Sequence, residues 1–162
     1  MEIKKEEMIK IGKANSNINT AANWSIVLGW IAVVGAIYIS ATEYSKFIDF
    51  TEFDVVHNLI AGLLAVYFGN KVKKDAQNSL SSLSHLWGLF WLKIIMALLI
   101  SDMQIARIFI LGYALFEIHK GKKAAYGFAD TESIKRSKSI NYLWIGIIGC
   151  AVFIIIFLIG FA

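Results

Sequence analysis

Long uncharged, mostly apolar stretches alternate along this chain with shorter polar segments. A helix needs about 20 such residues to cross the hydrocarbon core of a bilayer. The first and last stretches, 22–41 and 142–162, reach that length without a charged residue. A weaker stretch covers 55–70, and two more, 86–100 and 103–118, stand on either side of a short polar break. The pattern predicts an all-α, polytopic membrane protein with five hydrophobic segments in one domain.

The third and fourth segments are predicted to form a hairpin. A single helix over 86–119 would measure about 51 Å, much more than the thickness of a bilayer core. The sequence Ser-Asp-Met-Gln at 101–104 interrupts it and matches a capping box, which marks the start of a new helix. Because each segment is shorter than a full span, a tight transmembrane hairpin and a re-entrant hairpin both fit the sequence.

The polar segments differ in charge, and the difference predicts orientation. Thirteen of the 16 basic residues lie in 1–20, 70–85 and 120–140. With five spans, these three segments fall on one side of the membrane, and cytoplasmic segments carry the excess of Lys and Arg. We therefore expect a cytoplasmic N-terminus and a non-cytoplasmic C-terminus, in a bacterial-type inner membrane. Residues 1–20 would form a short interfacial helix or a loose tail, and 120–140 a basic cytoplasmic loop.

Composition supports a membrane location and narrows the partners. Hydrophobic residues make up 57% of the chain and charged residues 17%, which is too apolar for an ordinary soluble domain. In a membrane protein the net charge of +4 indicates contact with anionic lipid headgroups rather than with nucleic acid. The single cysteine excludes an internal disulfide and any cysteine-based metal site. No cofactor is predicted.

Three charged residues in the hairpin are candidates for function, because a charge inside a bilayer is costly. Lys93 lies near the middle of the third segment. It would bind an anion or an acidic residue of another membrane protein, or else extend its amine to the cytoplasmic interface. Arg107 lies about one and a half turns into the fourth segment. It would pair with Asp102 or reach the outer interface.

The three histidines suggest weaker possibilities. His57 lies three residues after Asp54, so the two could form a proton relay or a simple pair at a helix end. His85, His119 and Glu117 carry the nitrogen and oxygen atoms that zinc or iron would bind. The favoured interpretation is that these three are interfacial side chains among polar neighbours.

Small residues recur on one face of the first two segments, where they would let two helix backbones approach closely. We expect the two rows to pack against each other. The rows are Ser25, Gly29, Ala32 and Ala36 in the first segment, and Ala61, Ala65 and Gly69 in the second.

The sequence contains no Ser-His-Asp arrangement, HExxH motif, P-loop or GxGxxG motif. The predicted function is therefore that of a non-enzymatic membrane protein that binds another membrane protein in the plane of the bilayer. It could be an accessory subunit, an assembly factor or an immunity-type protein. The alternative is a homo-oligomeric ion channel or small transporter whose path is lined by Lys93 and Arg107. An intramembrane enzyme has the least support.

Overall fold

Five α-helices make up almost all of residues 2–41, 52–99 and 105–160, which are the residues that this computed structural model describes. They are α1 (Glu2–Ala41), α2 (Glu52–Lys74), α3 (Leu80–Leu99), α4 (Ile105–Tyr126) and α5 (Thr131–Gly160). Within the described residues, α1, α2, α3 and α5 are long and apolar enough to cross a membrane. The all-α prediction is confirmed, and four apolar helices of this length support a multi-pass membrane protein.

Consecutive helices run in opposite directions. Five residues join α2 to α3 and four join α4 to α5. Such connections reach roughly 20 Å at most, whereas α3 is about 30 Å long, so the joined helices must turn back. Along α1 and α2, Gly69 lies against Ala22 and Ile26, while 36–41 lies beside 55–59. We call the end that contains the connections 75–79 and 127–130 the basic end.

Four helices form a closed bundle and the fifth is attached to its side. α1 packs against α2 and α4, and α3 packs against the same two helices from across the bundle. Large apolar side chains of α3 fill the centre, with Leu83, Leu86 and Phe90 fully buried. α5 packs mainly against α3. α3 is therefore the central element that positions the other helices.

The predicted basic loop over 120–140 is wrong as secondary structure. α4 continues to Tyr126 and α5 begins at Thr131, so only 127–130 connects them. The segment is rich in Lys, Ala and Ser and lacks proline, so helix propagation meets no steric barrier. Asp130 begins α5 by accepting a hydrogen bond from the Ser133 N–H at 2.7 Å.

Residues 2–20 also differ from the prediction, because they continue α1 as one uninterrupted helix of 40 residues. This helix is about 60 Å long and extends beyond the thickness of a bilayer core. Ile18 and Ala21 are fully buried in the region where α1 meets α4. Packing against α4 therefore stabilises the helix around 17–21, whereas 6–13 is exposed.

α3 begins six residues before the predicted start of the third segment. The Ser84 hydroxyl donates to the Leu80 carbonyl at 2.9 Å, and the Ser79 carbonyl accepts from the Leu83 N–H. Serines that bond back to their own helix can be buried without losing hydrogen bonds. At 20 residues α3 has the length of a full span.

Candidate binding site

The close contact of α1 with α2 sets the position of the site. Gly29 and Gly62 face each other so closely that a Cβ on Gly29 would lie 2.8 Å from the Gly62 carbonyl oxygen. Ser25, Ala36, Ala61 and Ala65 of the two predicted rows are also buried. Gly62 was not among the predicted packing residues, although it directly follows Ala61, the first residue of the predicted row on α2. The two backbones touch at this crossing.

A cavity of about 350 Å³ lies beside this crossing, where α1 and α4 face each other over α2 and α3. Three polar side chains contribute to its lining: Asn58 of α2, Lys93 of α3 and Arg107 of α4. None of the described lining residues is acidic. The remaining walls are apolar and consist of Leu28, Ile31, Ala32, Gly35, Ala36, Ile39, Val55, Ile110 and Leu111.

Lys93 is the most unusual residue in this cavity. The residue is only 5% exposed, and it lines the cavity rather than the outer surface of the bundle. Within the described part of the chain it forms no hydrogen bond or ion pair, and the like-charged Arg107 lines the same cavity. A buried ammonium without a partner is strongly unfavourable. Lys93 is therefore positioned to receive a negatively charged group.

Arg107 has a described partner, and it is not the one predicted. Its Nη2 donates to Oδ1 of Asn58 at 3.0 Å, which links α4 to α2 at the wall of the cavity. The predicted pairing with Asp102 lies outside the described residues. Asn58 was missed as a site residue because its distance of 49 positions from Arg107 cannot be inferred from spacing within either helix. Among the residues that the structure describes, this neutral amide is the partner of Arg107, and it does not offset the positive charge.

The cavity reaches the apolar outer surface of the bundle at α1 and α4. Ile31 on α1 is 61% exposed and Ile110 on α4 is 49% exposed, and both line the cavity. A ligand that reaches Lys93 by this route approaches along the plane of the membrane.

The histidines lie at separate places. His57 is half-buried on α2, and the side chain of Asp54 lies outside the described residues. His85 stacks on Phe68 at 4.6 Å and accepts a hydrogen bond from Trp144 Nε1 at 3.2 Å. His119 is exposed on α4. The two contacts of His85 join α3 to α2 and to α5.

Glu117 is engaged as well, because both of its carboxylate oxygens accept from Lys120 Nζ at 3.1 Å. Across 2–41, 52–99 and 105–160, no three His, Cys, Asp or Glu side chains form a group that could hold a metal ion. The described residues thus bring cations together in the membrane-facing cavity, but no set of metal-ligating groups.

Compared with known proteins, the chain matches no family model, no curated protein and no solved structure.

Proposed function

We propose that this protein is a non-enzymatic membrane protein that binds another membrane protein in the plane of the bilayer. In this proposal a helix of the partner packs over the cavity at α1 and α4 and places an acidic side chain against Lys93. The observation that carries the proposal is the burial of Lys93 in a cavity that it shares with the like-charged Arg107. The apolar walls suit an apolar helix, and the two cations suit a carboxylate.

The proposal includes a topology with five spans and a cytoplasmic N-terminus. The lysine-rich start of α1, the end of α2 and the connection from α4 to α5 all lie at the basic end. An excess of Lys and Arg at one end supports a cytoplasmic location for that end. α4 would supply the fifth span over 105–118, although that stretch contains Arg107 and Glu117.

Site-specific photocrosslinking in native membranes tests the partner. A photoreactive residue at position 31 or 110 should crosslink to a second polypeptide, and one at position 116 should not. Phe116 is a matched control because it is 57% exposed on α4 and does not line the cavity. The crosslink should disappear in Lys93→Leu, and the crosslinked segment should be an apolar helix that contains Asp or Glu. Equal crosslinking at all three positions, or crosslinking that survives Lys93→Leu, would contradict the proposal.

The alternative function, a homo-oligomeric channel or small transporter, is favoured by one observation. Lys93 and Arg107 come from different helices and meet in one cavity, as residues that line an anion path would. In the single chain, the bundle toward the basic end is filled by Leu86, Phe90 and Ile118. A path would therefore have to form between subunits. Crosslinking of position 31 to a second copy, with anion flux in liposomes that falls in Lys93→Gln, would support the channel instead.

A further inference from the structure

A second cavity, of about 610 Å³, lies at the basic end between α4 and α5, with Trp87 of α3 contributing to its lining. It is separate in position and composition from the cavity around Lys93. Lys122, Lys123 and Lys138 line it together with His119, and none of the described lining residues is acidic. Three lysines in one concave site create a positive potential that a single exposed lysine does not.

Lys122 makes this a built site rather than a group of surface lysines. The residue is only 7% exposed, and burial lowers the pKa of its amine to about 8. Its Nζ donates to Oδ1 of Asn141 at 2.7 Å and lies 4.7 Å from the centre of the Trp87 ring. These contacts hold the ammonium in place but provide no negative charge. Since an ammonium has three N–H donors, two remain available to a ligand.

The cavity is polar at one side and apolar at the other. Lys138 lies near the start of α5, and Ile145 lies about two turns further along the same helix, inside the apolar stretch. Tyr142 stands between them, and Ile145 continues onto the exposed apolar surface of α5. An amphipathic ligand lying along α5 would match this order, with its charge at the lysines and its chain beside Ile145.

We propose that the cavity between α4 and α5 binds an anionic phospholipid, with the headgroup phosphate held by Lys122 and Lys138 and an acyl chain beside Ile145. Basic pockets between transmembrane helices on the cytoplasmic side are suited to such headgroups. Trp87 and Tyr142 have the amphipathic aromatic side chains that favour the boundary between headgroups and hydrocarbon. This inference does not depend on the proposed partner at Lys93.

Lipid retention by the full-length protein tests the proposal. The protein in neutral detergent is titrated with phosphatidylglycerol or with phosphatidylcholine of the same acyl chains, and bound lipid is counted by native mass spectrometry. The wild type should prefer phosphatidylglycerol. Each lysine beside an anionic headgroup contributes roughly a fivefold gain in affinity. Lys122→Gln/Lys138→Gln should therefore weaken phosphatidylglycerol binding by roughly 25-fold.

The matched control removes the same charge elsewhere. Lys73→Gln/Lys135→Gln changes two exposed lysines at the basic end that do not line this cavity. It should leave binding within about twofold of the wild type. Equal losses in the two double variants would show general charge attraction and overturn the proposal. Lys122 is buried, so its substitution could also affect folding. The single variant Lys138→Gln changes an exposed residue and leaves the packing intact. It should weaken phosphatidylglycerol binding by roughly fivefold.

A third arm separates lipid from free phosphate. Inorganic phosphate at the same concentration as the lipid should not displace phosphatidylglycerol, since it lacks the acyl chain that contacts Ile145. Displacement by inorganic phosphate, or equal retention of phosphatidylcholine, would overturn the assignment of this cavity to an anionic phospholipid.

Discussion

The contact between Gly29 and Gly62 makes a specific prediction about stability, because a methyl group at either position meets backbone atoms of the other helix as well as a valine side chain. A Cβ on Gly29 would lie 2.8 Å from the Gly62 carbonyl oxygen and 3.0 Å from the Val66 nitrogen. Overpacking of this kind costs about 1–3 kcal/mol. Replacing glycine by alanine inside a helix returns about 1 kcal/mol through helix propensity. The difference between these two effects is about 0–2 kcal/mol, so we expect Gly29→Ala to lower the free energy of unfolding by up to about 2 kcal/mol.

Gly112→Ala is the matched control, because Gly112 lies in the middle of α4 and a Cβ there meets nothing within 4 Å. It should gain up to about 1 kcal/mol from helix propensity alone. The assay is reversible unfolding by SDS in mixed micelles, followed by circular dichroism. Gly29→Ala and Gly62→Ala should also be less than additive, since they disturb one contact. Equal stability of Gly29→Ala and Gly112→Ala would refute the close crossing.

Three further predictions concern other parts of the molecule. Gly88→Ala should detach α5 from α3, because a Cβ at position 88 collides with the indole ring of Trp144. A fluorophore attached to Cys150, the single cysteine and an exposed one, should then report increased mobility of α5. Lys93→Met should raise the free energy of unfolding by about 1 kcal/mol or more, since it removes a buried charge. It should also abolish crosslinking to the partner. A lower free energy of unfolding would contradict the conclusion that Lys93 is buried unfavourably. Burial lowers the pKa of Lys122 to about 8 from its usual 10.5. The unfolded chain therefore binds more protons between these values, so stability should rise with pH across that range and rise less in Lys122→Met.

The positions of the helices could be predicted where a long apolar stretch is present. The residues at which the helices begin and end could not be predicted. The stretches 22–41 and 55–70 lie within α1 and α2 because the bilayer requirement dominates both sequences. The same reasoning predicted helices that are too short at the basic end, where α1 and α3 begin and α2 and α4 end. There, helix continuation depends on contacts such as Ala21 with Gly121, which join residues far apart in the chain. Hydropathy contains no information about such contacts.

The candidate site shows the same division. Lys93 and Arg107 could be selected from sequence because charges are rare inside apolar segments. The hydrogen bond of Asn58 to Arg107 could not be predicted, because the two residues lie in different helices. The same is true of the hydrogen bond of Trp144 to His85. Choosing partners by proximity along one helix led instead to Asp102, which lies outside the described residues.

The attachment of α5 to one side of α3 divides this helix into two parts with different mutational tolerance. Ser137, Ile140 and Trp144 are buried against the bundle, and Ser137 and Trp144 form hydrogen bonds to side chains of α3. Farther along, Phe153 and Phe157 are exposed in the isolated chain, so there the bilayer replaces neighbouring side chains as their surroundings. A bilayer recognises hydrophobicity and not shape. Sequence variation should therefore be restricted to particular residues before Trp144 and only to apolar character after it.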